Sequence, residues 1–568
     1  MPTAFRKLCD LCEKIEATSK RLVKTDLTAS FLGDLQPDEV EPAVSMILGR
    51  PFPKWDQRTL EISWSTLSDL IMKLTQTDWS EFRKAFSETG DVGSAAKAVF
   101  EAGKIRRQTM LLEKPLSIME VRRTFEKIAE LSGLGSRERK ERLIETLLGQ
   151  ASPLEIKYLI KILVGDMRTG FHEGLMEMAV AKAFEISLDA VQTASMVTGD
   201  IGEIASTAKV KGAEGISQIG FKVFHPIKPM MAQMSLNVKE ALSESSGPLG
   251  FEYKLDGARI QIHKFGDEVR IYSRRLTDVT ESLPEIVQIV SSEIKVKEVI
   301  VEGEVIALDR SRRNPLPFQH LMRRFRRVHG IDEMTVNIPV ELQLFDVIYA
   351  DGQNLASMSY TERRKRLSEI AGSIKLTKQL VTGDAVEAEE FLKEAVRNGH
   401  EGLMAKKLDS PYTPGVRGKR WFKIKLILEP LDLVIVAAEW GYGRRHEWLS
   451  DYYLAARDTE TGKYEVLGKT FKGLTDREMI EMTKRLKELI VKEEPHRVIV
   501  IPKIVVEVAY NEIQKSPKYD CGMALRFARI TRIRDDKTPE DADTIERVTE
   551  IYEKQYEKKA KFAPSEMN

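Results

Sequence analysis

Cysteine is scarce in this chain: Cys9, Cys12 and Cys521 are the only three among 568 residues. That count excludes a disulfide framework and fits a reducing compartment such as the cytoplasm. Cys9 and Cys12 form a lone C-x-x-C with no second pair, whereas a structural zinc site takes about four ligands. They read as two cysteines one helical turn apart. Long apolar runs are missing too. No stretch reaches the roughly 18 residues of a membrane span, and Arg6, Lys7 and Asp10 interrupt any secretory core at the N-terminus. Excess charge of one sign is also lacking, because 88 Lys and Arg meet 87 Asp and Glu. Any nucleic-acid binding must therefore use local basic surfaces rather than a cationic whole. The chain shows neither internal repeats nor low-complexity segments. These absences point to a soluble, cytoplasmic protein with no membrane partner.

What is present is enough for several domains. Hydrophobic residues make up 42% of the chain and charged residues 31%, so each unit of about 150 residues can bury a core. Abundant Lys and Glu also suit heat stability. Residues 1–224 carry helix-period apolar spacing with caps: Ser117 with Glu120, and Ser152 with Pro153 and Glu155. This predicts an all-α N-terminal domain. Pro226 and Pro229 then mark a linker. Residues 259–263 and 268–272 alternate around Gly266-Asp267, a hairpin pattern. Further strands are expected at 298–302 and 340–345, with a helix capped by Ser359 and Glu362. Residues 225–429 thus read as an α+β domain. After Pro430, strands at 431–438 and around Tyr452 and Val505 surround a helix capped by Thr475 and Glu478. Residues 430–568 are expected to form a small OB-fold β-barrel, with a last helix starting at Thr538-Pro539.

The chemistry centres on Glu252-Tyr253-Lys254-Leu255-Asp256-Gly257-Ala258-Arg259. A lysine amine attacks phosphorus only when unprotonated, and burial or nearby cations favour that form. Gly257 permits a tight turn beside a bound nucleotide. Taken alone, the K-x-D-G pattern is short, arises by chance and reads as an ordinary solvated turn. Four further motifs follow in order: Val301-Glu302-Gly303-Glu304, where Glu304 is expected to end a strand; Phe345-Asp346; Glu401-Gly402-Leu403-Met404-Ala405-Lys406; and Trp421-Phe422-Lys423-Ile424-Lys425. Each has a bland reading: Phe345 as core, Glu304 and Glu401 as surface charges. Lys423 and Lys425 point the same way on a strand, which suits either a solvated face or a phosphate.

The ordered series resembles the nucleotidyltransferase motifs of ATP-dependent DNA ligases, closest to the archaeal replicative type, and the resemblance covers nearly the whole chain. Lys157-Tyr158-Leu159-Ile160-Lys161 with Gly165-Asp166-Met167-Arg168-Thr169-Gly170 looks like that family's helical DNA-binding domain, and Pro226-Ile227-Lys228-Pro229-Met230-Met231 looks like its linker. The resemblance implies that Lys254 is the catalytic nucleophile and ATP its adenylate donor. Glu252 would contact the adenine amino group and Phe345 would stack on the base. Arg259 and Glu304 would hold ribose, and Arg274 a phosphate. Glu304 and Glu401 would hold a divalent metal, Mg²⁺ or Mn²⁺. Lys423 and Lys425 would bind the α-phosphate, and Arg534 and Lys537 would face the leaving pyrophosphate. One departure is Thr277, which stands where many relatives carry Glu.

The expected partner is nicked duplex DNA, met by a monomer in the nucleoid during replication, repair and recombination. Between 310 and 330 there are seven arginines and no acid; Arg323, Arg324, Arg326 and Arg327, with Arg168, are the expected DNA cations. Gln108-Thr109-Met110-Leu111-Leu112 occupies the place of the family's sliding-clamp (PCNA) segment, with Leu111 and Leu112 replacing the usual aromatic pair. Packing of those leucines on the helical domain is the alternative. An RNA-capping guanylyltransferase shares the Lys-x-Asp-Gly core but lacks the long helical domain. An NAD-dependent ligase would carry a four-cysteine zinc module. An inactive DNA-binding scaffold would form no covalent adenylate.

Overall fold

The computed structural model describes residues 2–103, 115–309, 311, 315–316, 318–325, 335, 337–425, 429–441, 445, 447–494 and 496–560. Among these, helices alone fill the first part, from Phe5–Glu16 to Ile201–Ser217. The expected caps form: Ser117 with Glu120, and Ser152 with Glu155, each satisfy backbone N–H groups that a helix start leaves open. Cys9 and Cys12 lie fully buried on the first helix, facing the core with Leu8 and Ile15. No described helix is long and apolar enough to cross a membrane.

Strands begin with Met231–Ser235 and build two sheets in the middle of the chain. The first is five-stranded, in the order Met231–Ser235, Arg417–Lys425, Gly402–Lys407, Leu249–Lys254, Gln379–Thr382. The second runs Glu268–Ser273, Ala258–Phe265, Glu298–Ala307, Val340–Ala350, Gln353–Asn354, with Lys375–Leu376 pairing in parallel beside Val340–Ala350. The lysine strand, Leu249–Lys254, therefore belongs to one sheet and the hairpin that follows it to the other. Residues 255–257 cross between them. A buried Arg363–Asp346 pair at 2.8 Å joins the Tyr360–Ile370 helix to the second sheet. Losing one partner of such a pair leaves an uncompensated buried charge.

The last part folds around Leu431–Trp440. This strand pairs with Leu449–Arg457 along one side, and on the other with Val505–Ala509 in its first half and Arg497–Val500 in its second. One long strand shared by two partners lets a short sheet curl into a barrel, and the Asp476–Lys487 helix packs against it. The last helix departs from expectation. Thr538 and Pro539 open only a 3-10 turn, Pro539–Asp541, and the helix begins at Ile545. Reciprocal bonds between Asp432 and Asp543 pin the intervening chain to the barrel, so helical geometry cannot propagate through it.

Candidate active site

Lys254 is the last residue of its strand. Its ladder neighbour is Gly402, whose other neighbour is Lys425, so the two lysines flank one glycine across three strands. Gly402 has φ +148°, and a Cβ there would sit 2.2 Å from the Ile424 carbonyl oxygen. Only glycine permits this approach. Both ammonium groups then converge on one atom, Glu401 Oε2, at 2.7 Å from Lys254 and 2.5 Å from Lys425. Burial would raise the Glu401 carboxyl, but the two lysines outweigh it and hold it well below the ordinary carboxylate range. Lys423, two residues before Lys425 on the same strand face, is partly buried. Burial first, then Lys425 and Lys254, lower its ammonium. Three cations thus crowd around one carboxylate, and the positive charge left over suits a phosphate.

The floor comes from the other sheet. Glu304 lies opposite Arg259 in the ladder. Contrary to expectation, Glu304 does not end its strand, which continues to Ala307. Burial raises its carboxyl to about 7, against the pull of Lys254 and Arg259. Arg259 binds Glu302 at 2.6 Å, the Met230 carbonyl at 2.7 Å and the Tyr412 hydroxyl at 3.3 Å. Gly257 is needed for packing more than for turning: a Cβ would lie 2.3 Å from the Val305 carbonyl oxygen.

The far end of the cleft is aromatic. Phe345 is half-buried, with the Arg259 guanidinium 5.3 Å and the Lys406 ammonium 4.8 Å from its ring centre. Trp421 meets it edge-on at 6.3 Å. Glu252 is buried and forms a 2.6 Å ion pair with Lys406. Two buried donors here, Arg259 Nε and Trp421 Nε1, have no protein partner. An unsatisfied donor costs about 1–3 kcal/mol, so both are apt for acceptors that a substrate would bring.

Not every expected residue reaches this cleft. Arg274 is exposed on the turn after Ser273, close enough for its charge to act on Lys423. Arg534 and Lys537 are held on the barrel itself. Both bind Asp432, at 2.9 and 2.6 Å, and Arg534 also binds Asp536 at 2.7 Å. A barrel residue that does approach is Arg526, which lies close enough for the Asp256 and Glu401 charges to act on it and 5.8 Å from the Phe318 ring. Arg168 is exposed, with φ +49°, and hydrogen-bonds Asp166 and the Gly90 carbonyl. Arg324 corrects the reading of the basic run. Its side chain is buried and bonded to Glu285 and to the Ser282 and Ile338 carbonyls, so it offers no charge to a DNA surface. Of Arg323 only the helical backbone is described. Arg326, Arg327 and 108–112 lie outside the described residues.

A divalent metal passes a simple test. Among the described residues no cluster of three or more ligating side chains exists. Mg²⁺ does not require one, since it takes one or two carboxylates and completes its shell with water and substrate phosphates. Glu304 and Glu401 are close enough to repel each other, and Glu401 Oε2 has ionic neighbours but no aligned hydrogen bond. The donor set fits.

Sequence reasoning overlooked Glu302, Tyr412, Lys406 and Arg526 as working parts of the cleft. Glu302 was signalled by sharing a strand face with Glu304; Tyr412 carried no signal.

Comparison with known proteins gives three family matches along the chain. Residues 4–181 match the model described as DNA ligase N terminus, 229–425 that of the ATP dependent DNA ligase domain, and 445–537 that of the ATP dependent DNA ligase C terminal region. The chain is 45% identical to a DNA ligase of Thermococcus fumicolans over 98% of its own length and 100% of the relative's. It is 46% identical to DNA ligase 1 of Korarchaeum cryptofilum over 98% and 99%. A solved structure called Pmar-Lig_PreS3 shares the fold with a TM-score of 0.53 at 17% identity, covering 93% of this chain and 99% of that one.

Proposed function

The chain belongs to the ATP-dependent DNA ligases, and we propose that Lys254 is the residue through which it takes AMP from ATP and passes it to a nick. The convergence of Lys254 and Lys425 on Glu401 across Gly402 carries this reading. An α-phosphate placed there meets the nucleophile and two further cations at once.

In the first step Lys254 Nζ, having lost a proton to solvent, bonds to the α-phosphorus while the bond to the departing pyrophosphate breaks. Lys423 and Lys425 offset the charge that grows on the phosphoryl oxygens. Arg259 and Glu304 hold the ribose, Phe345 stacks on the base, and Glu252 accepts from its amino group. Arg274 reaches a phosphate of nucleotide or nick. AMP then moves to the 5′-phosphate of the nick, and the 3′-hydroxyl displaces it to close the backbone. Glu304 and Glu401 would hold Mg²⁺ or Mn²⁺, which when bound spreads phosphoryl charge. Arg534 and Lys537 act on pyrophosphate only after exchanging Asp432 for phosphate, which requires the barrel to turn.

DNA is met by backbone and shape, since any sequence must be sealed; Arg168, on a strained exposed loop, suits a phosphate. The enzyme works as a monomer in the cytoplasm on the nucleoid, with a sliding clamp gripping Gln108, Leu111 and Leu112. The central test is Lys254→Arg. Arginine keeps the charge but is no nucleophile near neutral pH. Mass spectrometry after incubation with ATP and Mg²⁺ should show one added AMP in the native chain and none in the variant, which still binds nicked duplex. An adenylate on another lysine would refute the assignment.

A further inference from the structure

The Glu252 carboxylate is held from behind by a helix that the proposed chemistry does not use. The Tyr360–Ile370 helix starts from a capping box of Ser359 and Glu362, and Thr361 N–H binds the Leu408 carbonyl just past the Lys406 strand. Tyr360 and Arg364, one turn apart, aim two donors at one oxygen. The Tyr360 hydroxyl donates to Glu252 Oε1, and Arg364 Nη1 donates to the same atom at 3.1 Å. Arg364 is fixed in turn by the Thr377 carbonyl at 2.5 Å. Gln379, the ladder neighbour of Glu252, donates to the Tyr360 oxygen at 2.7 Å, which directs the hydroxyl proton to the carboxylate. Gly250 makes room, because a Cβ there would lie 3.1 Å from the Tyr360 ring.

We infer that Tyr360 and Arg364 are positioning residues for base selection, leaving Glu252 one acceptor position that suits an exocyclic amino group and refuses a carbonyl. A carboxylate has about four acceptor positions. Tyr360 and Arg364 fill those of Oε1, and Lys406 takes one on Oε2. The position left over suits the amino group of adenine. Guanine would set its O6 lone pairs against it, and an unpaired buried acceptor is penalised. Burial pushes the Tyr360 hydroxyl up, so it remains a donor. Without these donors the Oε1 positions fall open and only Lys406 still orients the carboxylate, so the one-position fit to the amino group is lost.

The inference rests on Glu252 reading the base, and the test separates the two. Self-adenylation is measured with ATP, GTP and purine riboside triphosphate, which lacks the 6-amino group. In Tyr360→Phe and Arg364→Met the preference for ATP over purine riboside triphosphate should fall about tenfold, in KM rather than kcat, and guanylate labelling should rise. Arg364→Lys should restore most of the preference. Sealing of a pre-adenylated nick should stay native, showing that the fold is intact; if either variant loses it, Gln379→Leu and Arg364→Lys supply the comparison. Unchanged preference in these variants while Glu252→Gln abolishes it would overturn the inference and spare the Glu252 reading. Unchanged preference in Glu252→Gln would overturn both.

Discussion

Replacing Glu304 by Gln should make the central domain more stable while impairing the enzyme. Burial lifts the Glu304 carboxyl from 4.5 to about 7. At ~1.4 kcal/mol per tenfold, the charged form is disfavoured in the folded protein by about 3 kcal/mol. Because the folded value is the raised one, the contribution of Glu304 to stability is present below pH 4.5 and is lost as pH climbs through 7. Gln, neutral at every pH, escapes that loss. The expected gain is under about 1 kcal/mol near pH 5 and about 3 kcal/mol near pH 8. Hydrogen exchange of peptides covering Glu298–Ala307 isolates this domain from the rest of the chain. Exchange at both pH values, corrected for intrinsic rates, gives the two differences. An equal effect at both pH values, or a loss of protection at pH 8, would refute the reasoning. Adenylation at pH 8 should fall at least tenfold in the same variant, since ribose and metal lose their carboxylate.

Two other predictions concern the barrel cations and the clamp segment. Arg534→Ala and Lys537→Ala should slow self-adenylation strongly and leave sealing of a pre-adenylated nick much less affected; assaying both steps decides, and equal loss in both would mean that neither residue serves the leaving group. Replacing Leu111 and Leu112 together by Ala should weaken clamp binding by tenfold or more in a titration, whereas unchanged affinity would remove the clamp from consideration.

The chemistry was legible in the sequence where it obeyed a local period. Lys423 and Lys425 share a strand face by alternation, and the helix starts at Ser117, Ser152, Ser359 and Thr475 were written in their caps. What could not be read depended on distant chain. Arg324 sits in an acid-free run, yet its carboxylate partner Glu285 is 39 residues upstream, so a local charge count misplaces it on the surface. Tyr360 and Glu252 are 108 residues apart, and no spacing rule joins them. Gly257 carries a constraint that no local pattern shows, a neighbouring strand's carbonyl that only the fold brings near. The final helix failed for a similar cause, since Thr538 and Pro539 are good starters locally and Asp432 overrides them from across the barrel.

The single oxygen shared by two lysines has a consequence for timing. While Lys254 is an ammonium, Glu401 Oε2 is shared between two cations. A lysine that carries AMP is no longer a cation, so the carboxylate would keep only Lys425 and gain appetite for positive charge. Loading the nucleophile thus rewrites the affinity of its neighbour without any motion of the backbone. The cleft would then carry a record of which step it has reached, held as charge on one atom rather than as a change of shape.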